Sequence, residues 1–327
     1  MTDHTDKRFD VVALGELLID FTDSGLSEQG NPLLEANPGG AVCNVLSMLT
    51  KFGRKTAYIG KVGEDGFGTM LGRVIQEAGI NAEGLQYDRD VHTTLAIVLK
   101  KPDGDRDFAF YRKPGADVNL KEEEIDPALI ESSRIFHFGT LSLTDEPARS
   151  ATVKAVDIAE KAGLVITFDP NLREPLWNTL DEAKEQIDWG MKHAQVLKIS
   201  DNEITWFTGL DDYDEGIAYL QKTYPNLKLI TLSMGPDGSR AYYGGIRAEA
   251  PAFLQSGTIE TTGAGDTFCA CLLNAVLTYG IDGFDEEKLK EMLVFANAAA
   301  SIVTTRKGAL RVMPEVSEVE KFLAERR

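Results

Sequence analysis

Short apolar runs alternate along this chain with longer amphipathic stretches, and this alternation limits the fold more than any other feature. The runs that favour strands cover residues 9–14, 17–21, 56–60, 84–87, 135–139, 164–168, 196–199, 227–234, 241–243 and 247–249. The stretches with helical spacing cover residues 41–52, 67–78, 147–162, 201–207, 267–279 and 287–304. Strands that alternate with helices predict an α/β protein. At 327 residues the chain is long enough for one large domain or two smaller ones.

The segment ETTGAGDTF at residues 260–268 carries the sharpest chemical signal. Gly263, Gly265 and Asp266 lead into a helical pattern, and the first N–H groups of a helix have no intrahelical partner, so this turn suits an anion. An aspartate would repel a phosphate, but it could accept the proton of a hydroxyl that attacks that phosphate. By itself, such a segment is more typical of a helix N-cap than of a catalytic site.

Two long segments resemble the signatures of one enzyme family. Residues 260–266 are similar to the C-terminal signature of the ribokinase-like (PfkB) carbohydrate kinases. Residues 39–68, GGAVCNVLSMLTKFGRKTAYIGKVGEDGFG, are similar to the N-terminal signature. The resemblance extends over residues 9–314. Within the family, FYRKPGAD at 110–117 and FDPNLREPLW at 168–177 look most like the fructokinases.

The resemblance implies one ribokinase-like domain over residues 1–327. Its fold would be a central, mostly parallel sheet with helices on both faces, and a small β-sheet lid built from about residues 16–35 and 93–113. Strands expected at 94–100 and 106–112 flank Pro102-Asp103-Gly104, which is typical of a hairpin. A lid over the sugar would exclude water from the acceptor hydroxyl.

The resemblance also implies the residues of the active site. Asp266 would be the general base, and the N–H groups of Gly263, Ala264 and Gly265 would form the anion hole. The implied sugar contacts are Asp20, Gly39, Gly40, Asn44, Tyr111, Arg112 and Arg173. The implied nucleotide contacts are Ser200, Ser233, Gly235, Gly238 and Asn297. From the residues alone, a solvated Asp20, a helix-start Asn44 and an ion pair between Arg173 and Asp169 remain open.

Two glutamates correspond to cation sites of the family. Glu203 holds the place of the glutamate that works on hydrated magnesium in the motif N-x-x-E, although Ser200 stands where asparagine is usual. Glu260 replaces the usual aspartate of a monovalent-cation site that a loop at residues 304–308 would complete. The resemblance therefore implies Mg²⁺ with ATP as cosubstrate, and activation by potassium as a further expectation.

The net charge of −18 argues against nucleic acids and anionic membranes as partners. No apolar run reaches membrane-spanning length, and residues 1–10 carry no signal-peptide pattern, so we expect a cytoplasmic protein. Cys43, Cys269 and Cys271 have no metal-ligand spacing and are expected to be free thiols. The chain has no Walker motif, so the turn at 263–265 must hold the phosphate.

These inferences lead to an ATP-dependent sugar kinase that phosphorylates a primary hydroxyl, with D-fructose as the expected acceptor and fructose 6-phosphate as the product. A 2-keto-3-deoxygluconate kinase is the alternative, because Arg112 and Arg173 could bind a sugar acid. A sugar-binding relative without catalysis is a more remote alternative. The family resemblance also implies a homodimer formed through the lid.

Overall fold

A computed structural model of the chain describes residues 7–100 and 106–326. The strands β1 to β13 are, in chain order, Phe9–Leu14, Leu18–Leu26, Pro32–Gly39, Thr56–Gly63, Asn81–Asp88, Leu95–Lys100, Arg106–Tyr111, Ser133–Gly139, Val165–Asp169, Val196–Ser200, Leu229–Ser233, Ser239–Tyr243 and Ile246–Ala250. The helices α1 to α10 are Ala41–Lys51, Gly66–Glu77, Pro127–Glu131, Ala148–Lys161, Leu180–His193, Asp201–Thr208, Tyr213–Thr223, Ala264–Tyr279, Glu286–Val303 and Val316–Ala324.

Nine strands form one sheet in the order β13-β12-β11-β10-β9-β8-β1-β4-β5. The seven strands from β11 to β5 run parallel, and β12 and β13 are antiparallel additions at one edge. The chain leaves β1 towards β4 and β5 on one side, and later fills the other side from β8 onwards. Ligands of open α/β sheets bind at the carboxyl ends of the strands near such a switch in direction.

Helices cover both faces of this sheet, which is why its central strands are almost wholly apolar. In β1, Val11 and Ala13 belong to a core cluster with residues of α1, α2, α8, α9 and α10. Val12 and Leu14 belong to the cluster on the other face, with residues of α3 to α7. Alternate side chains of one strand thus enter two different cores. No described helix combines the length and the apolar composition that crossing a bilayer requires.

A second, smaller sheet has the order β3-β2-β6-β7. Strands β2 and β3 pair antiparallel, β2 pairs parallel with β6, and β6 pairs antiparallel with β7. This sheet places Asp20 of β2 and Phe110 of β7 at the edge of the site described below.

The fold expected from the sequence is confirmed: a mostly parallel sheet with helices on both faces, and a separate small sheet. The predicted hairpin strands pair as β6 and β7, although the turn at Pro102-Asp103-Gly104 lies outside the described residues. Strand β3 and helices α3, α5, α7 and α10 were not predicted. The three cysteines are free, as expected, and they are buried.

Candidate active site

Polar residues collect at the carboxyl edge of the large sheet. Asp169 ends β9, Ser200 ends β10 and Ser233 ends β11, and Glu16 follows the end of β1. The N-terminus of α8 meets the same edge, because Thr261 and Gly265 each line both of two adjacent cavities there. The first turn of α8 therefore lies between the two cavities.

The larger cavity has a volume of about 520 Å³ and brings together all five residues expected to contact the nucleotide. These are Ser200, Ser233, Gly235, Gly238 and Asn297. Such a volume is within the range of small-molecule sites. The amide of Asn297 is fully engaged, since it accepts from the hydroxyl of Ser239 and donates to the carbonyls of Ala250 and Pro251. Asn297 thus shapes the wall of this cavity with its polar atoms already paired.

The smaller cavity has a volume of about 220 Å³ and is lined mainly by polar side chains. Its lining includes seven of the expected site residues: Asp20, Gly40, Asn44, Arg173, Gly263, Gly265 and Asp266. Ala264, the residue between the two glycines, faces the larger cavity instead. A ligand that reached from one cavity to the other would pass the first turn of α8.

Asp266 is held by a residue from a distant part of the chain. Helix α1 packs beside α8, and the side-chain amide of Asn44 donates a hydrogen bond of 2.8 Å to Oδ2 of Asp266. Burial raises the pKa of Asp266, while this hydrogen bond and the charges of Lys198 and Arg173 oppose the rise. A carboxylate with a raised pKa is a better proton acceptor than an ordinary surface aspartate.

The carbonyl oxygen of Asn44 has no hydrogen-bond partner within the described residues, although Asn44 is buried. A buried acceptor without a partner is costly, and native proteins rarely leave one. Since Asn44 lines the smaller cavity, a hydroxyl of a bound ligand could donate to this oxygen.

The anion hole differs in detail from the expected one. Helix α8 begins at Ala264, three residues earlier than the sequence pattern indicated, and Gly263 is its N-cap with a φ of 78°. The N–H of Ala264 donates to the carbonyl of Thr261 at 3.2 Å. In the described part of the chain, the N–H groups of Gly263, Gly265 and Asp266 have no acceptor. These three groups, two of them at expected positions, are left for an anion.

Asp20 and Gly39 fit together on neighbouring strands of the small sheet. A β-carbon placed on Gly39 would lie 2.1 Å from Oδ2 of Asp20, so a glycine is needed there for the carboxylate to occupy its position. Burial raises the pKa of Asp20 to about 7. Burial likewise raises the pKa of Glu16, which also lines the smaller cavity, to about 7.

Two of the expected sugar contacts lie elsewhere. Arg112 is buried and lines neither of these two cavities. It pairs with Asp117 at 2.7 Å and donates to the hydroxyl of Thr144 and the carbonyl of Leu141. Tyr111 is 62% exposed and lines a separate hollow beside Arg112. The structure therefore does not bring these two residues together with Asp20 and Asn44.

Glu203 lies under the site as a capping residue of α6. Its carboxylate accepts from the N–H groups of Leu172 and Ser200, each at 2.8 Å, and from the hydroxyl of Ser200. Burial would raise the pKa of Glu203, but Lys198 and these hydrogen bonds hold it below the usual value. Within residues 7–100 and 106–326, no group of three or more metal-ligating side chains is arranged around one point.

Glu260 is bound to the loop that follows α9. Its carboxylate accepts from the N–H of Gly308 at 2.5 Å, and its own N–H donates to the carbonyl of Thr304 at 3.2 Å. Residues 260 and 304–308 thus lie together, as the expected cation site requires.

Three charged or amide side chains of the smaller cavity were not predicted: Glu16, Asn171 and Lys198. Asn171 has a φ of 43°, the only non-glycine residue with positive φ in the described chain. A residue in that conformation at the end of a strand often marks a functional site. Lys198 pairs with Asp169, so the alternative in which Arg173 pairs with Asp169 does not occur in the structure.

Comparison with known proteins gives consistent matches over nearly the whole chain. The model of the pfkB family carbohydrate kinases matches residues 8–316. Fructokinase-2 of Solanum lycopersicum is 41% identical over 315 residues, which is 96% of this chain and 95% of that protein.

Two solved structures show the same fold. The structure of fructokinase with bound ATP from Xylella fastidiosa has a TM-score of 0.88 and 27% identity, and covers 97% of this chain and 98% of that one. A fructokinase double mutant from Vibrio cholerae O395, with fructose, ADP and potassium ion bound, has a TM-score of 0.85 and 25% identity, and covers 97% of this chain and 99% of that one.

Proposed function

The chain belongs to the pfkB family of carbohydrate kinases, and we propose that it is a fructokinase that converts D-fructose to fructose 6-phosphate with ATP. The relatives named above are fructokinases, and one of their structures has fructose bound. The single observation that carries the choice of sugar is the charge of the smaller cavity.

Three carboxylates line that cavity: Glu16, Asp20 and Asp266. Carboxylate oxygens accept hydrogen bonds from hydroxyls, so they suit a neutral, hydroxyl-rich sugar. A sugar acid would bring a fourth carboxylate among them, and like charges at short range repel. Of the two arginines that a sugar acid would need, only Arg173 lines the cavity, because Arg112 is paired with Asp117. Lys198 also lines it but is paired with Asp169, so the three acidic side chains still outnumber the cations there. This charge balance favours D-fructose over 2-keto-3-deoxygluconate.

In the proposed reaction, the sugar lies in the smaller cavity and ATP in the larger one. A primary hydroxyl of the sugar attacks the γ-phosphorus, the bond between that phosphorus and the β-γ bridging oxygen breaks, and ADP leaves. Asp266 accepts the proton of the hydroxyl. The N–H groups of Gly265 and Asp266, at the positive end of α8, stabilise the charge on the transferred group.

The residues present fit a hydrated magnesium ion that arrives with ATP. Mg²⁺ usually keeps several waters and is bound by one or two carboxylates and the phosphates of the substrate. Glu203 is fixed by backbone N–H groups and is charged, so it would hold the ion through water. When bound, the ion neutralises part of the phosphate charge.

Potassium activation and a homodimer complete the proposal. The contact of Glu260 with the loop at 304–308 supports a monovalent-cation site there, and the Vibrio cholerae relative has a potassium ion bound. Leu26, Leu33 and Leu34 are exposed on the small sheet, which supports a dimer formed through this lid. Activity in potassium against sodium salts, and sedimentation of the purified protein, test these two points.

The test of the proposed function is ADP release with Mg-ATP and a panel of acceptors. We expect kcat/KM for D-fructose to exceed that for 2-keto-3-deoxygluconate by at least about a hundredfold, since a buried unpaired charge costs several kcal/mol. The reverse order would support the kinase activity but would overturn D-fructose as the preferred acceptor. Thermal stabilisation by fructose without ADP release would favour a binding protein.

The variant Asn44→Ala should move the acid limb of the kcat profile to higher pH. In the parent enzyme, the hydrogen bond from the amide of Asn44 lowers the pKa of Asp266. In the variant this donor is missing, so the carboxyl stays protonated up to a higher pH. A protonated carboxyl cannot accept the proton of the sugar. The measurement is kcat against pH at saturating fructose and ATP.

Ser47→Ala is the matched control, because Ser47 lies one turn further along α1 and donates to the carbonyl of Leu310 outside the cavity. Its profile should coincide with that of the parent enzyme. An acid limb that stays in place in Asn44→Ala would show that this amide does not set the protonation of the base.

A further inference from the structure

Lys198 is a buried lysine in the interior of the large sheet. It lies in β10 between Leu197 and Ile199, which are fully buried, and its own exposure is 6%. An ammonium group is rarely buried unless it is paired, because the loss of hydration is costly. A lysine at such a position needs a partner that compensates its charge, and its presence there calls for a functional explanation.

The structural partner of Lys198 is Asp169, at the end of the neighbouring strand β9. The ammonium lies 3.2 Å from Oδ1 and 3.1 Å from Oδ2 of Asp169. An ammonium has three N–H donors. In the described chain no other acceptor lies within hydrogen-bond distance of this ammonium. The carboxylate of the nearby Glu203 accepts from Leu172 and Ser200 instead. At least one donor of Lys198 is therefore left over.

Lys198 lines the smaller cavity together with Asp266. A β-carbon placed on Gly265 would lie only 3.3 Å from the Nζ atom of Lys198. The ammonium is thus packed against the first turn of α8, beside the free N–H groups of Gly265 and Asp266. The charged ammonium of Lys198 and the positive end of the α8 dipole therefore lie side by side, and both would stabilise an anion bound there.

Two neighbouring carboxylates favour the charged form of this group. Burial alone would lower the pKa of Lys198, but Asp169 and Glu203 raise it, while burial raises the pKa of Asp169 to about 7 against the opposing charge of Lys198. With its pKa raised, the amine is protonated at neutral pH and is not a base. It can act only as a donor and a positive charge.

We propose that Lys198 is a further catalytic residue, whose ammonium contacts the transferred phosphoryl group and stabilises it in the transition state, and that Asp169 is the positioning residue that holds it there. As the sugar oxygen bonds to the γ-phosphorus and the bond to ADP breaks, negative charge collects on the phosphoryl oxygens and on the leaving oxygen. Lys198 donates to that charge without giving up its proton, which stays on nitrogen while the sugar proton goes to Asp266. This inference rests on the proposed kinase reaction.

The first test is the variant Lys198→Met. We expect kcat to fall by about a hundredfold, which is typical for the loss of one oriented donor at a site of developing charge. The KM values for fructose and ATP should change by no more than about threefold, because the contact strengthens only in the transition state. The affinity for ADP with aluminium fluoride and fructose, a mimic of the transition state, should fall in parallel with kcat.

A second variant separates this role from stability. Lys198→Met leaves Asp169 buried and unpaired, which destabilises, whereas Lys198→Met/Asp169→Leu removes both charges together. We expect the double variant to regain thermal stability and to remain about a hundredfold slow. Lys61→Met is the matched control, since Lys61 is equally buried and pairs with Asp88 and Glu124 away from both cavities. It should lose stability and keep kcat.

A folded double variant with kcat within about fivefold of the parent enzyme would overturn the proposal, because one oriented donor is worth much more than that. A crystal structure of the parent enzyme with ADP, aluminium fluoride and fructose gives a second answer that needs no variant. Nζ of Lys198 should lie at about 3 Å from a fluoride, a hydrogen-bond distance. An ammonium that contacts only Asp169 there would exclude the role. Absence of sugar-dependent ADP release by the parent enzyme would instead reject the kinase reaction itself.

Discussion

Replacement of Asp266 by asparagine is expected to lower kcat by about a thousandfold, within the range that general-base catalysis supplies. Asparagine has nearly the same shape and can still accept the hydrogen bond from Asn44, but it cannot take the proton of the sugar. Binding of fructose and ATP should persist. Steady-state kinetics and calorimetric titration of each ligand measure the two effects separately.

The thermal stability of the Asp266→Asn variant is a second measurement, and it tests the raised pKa of Asp266. Burial raises the pKa of Asp266, so the charged carboxylate is less favourable in the folded chain than in the unfolded chain at neutral pH. A neutral amide should therefore leave the melting temperature unchanged or higher. Glu286→Gln, an exposed acid in the first turn of α9, is the control and should keep full activity. An Asp266→Asn enzyme within about tenfold of the parent kcat would refute the role of the base.

The variant Gly40→Ala is expected to lose about 4 kcal/mol of unfolding free energy, from backbone strain and overpacking together. Gly40 has φ 125° and ψ 121°, which residues with a β-carbon avoid. A β-carbon there would also lie 2.3 Å from the carbonyl oxygen of Glu16. The clash would push β1 away from α1 and widen the smaller cavity, where we propose that the sugar binds, so the KM for fructose should rise as well.

Gly53→Ala is the matched control at the other end of α1. Gly53 also has a positive φ, 72°, but a β-carbon would meet no atom within 4 Å. Only strain remains, and we expect a loss of about 1 kcal/mol with unchanged KM. Denaturant unfolding and fructose kinetics on both variants make the comparison. Equal losses of stability at the two positions would show that the contact with Glu16 is relieved at little cost.

The sequence predicted those helices and strands that a local pattern of apolar residues defines. Apolar spacing located α1 and β10 to within a few residues, and the alternation of strands and helices led to the correct class of fold. The start of α8 was placed too late, because glycines weigh against helix although Gly265 lies in its first turn. Strand β3 was missed because it contains Pro32 and Pro38 and much of it is exposed. Both prolines are tolerated there since β3 is an edge strand.

The roles of charged residues depended on contacts that sequence spacing does not reveal. Arg112 was expected at the sugar, but Thr144 and Leu141 reach it from a segment some thirty residues further on and engage its guanidinium. Lys198 was not predicted as a site residue, because it lies within an apolar strand. A lone lysine in a run such as V-L-K-I-S is itself a signal, because a central parallel strand has no solvent-facing side.

The hydrogen bond between Asn44 and Asp266 joins residues 222 positions apart, and this separation has a consequence during biosynthesis. A nascent chain that has emerged as far as β10 already contains Asp20, Asn44 and Lys198. It has neither the base nor the first turn of α8, which are made later. With Asp266 as the proposed base, such an intermediate would hold several of the polar side chains of the smaller cavity but would lack the group that accepts the sugar proton. We therefore expect ATP turnover only from chains whose synthesis has passed α8.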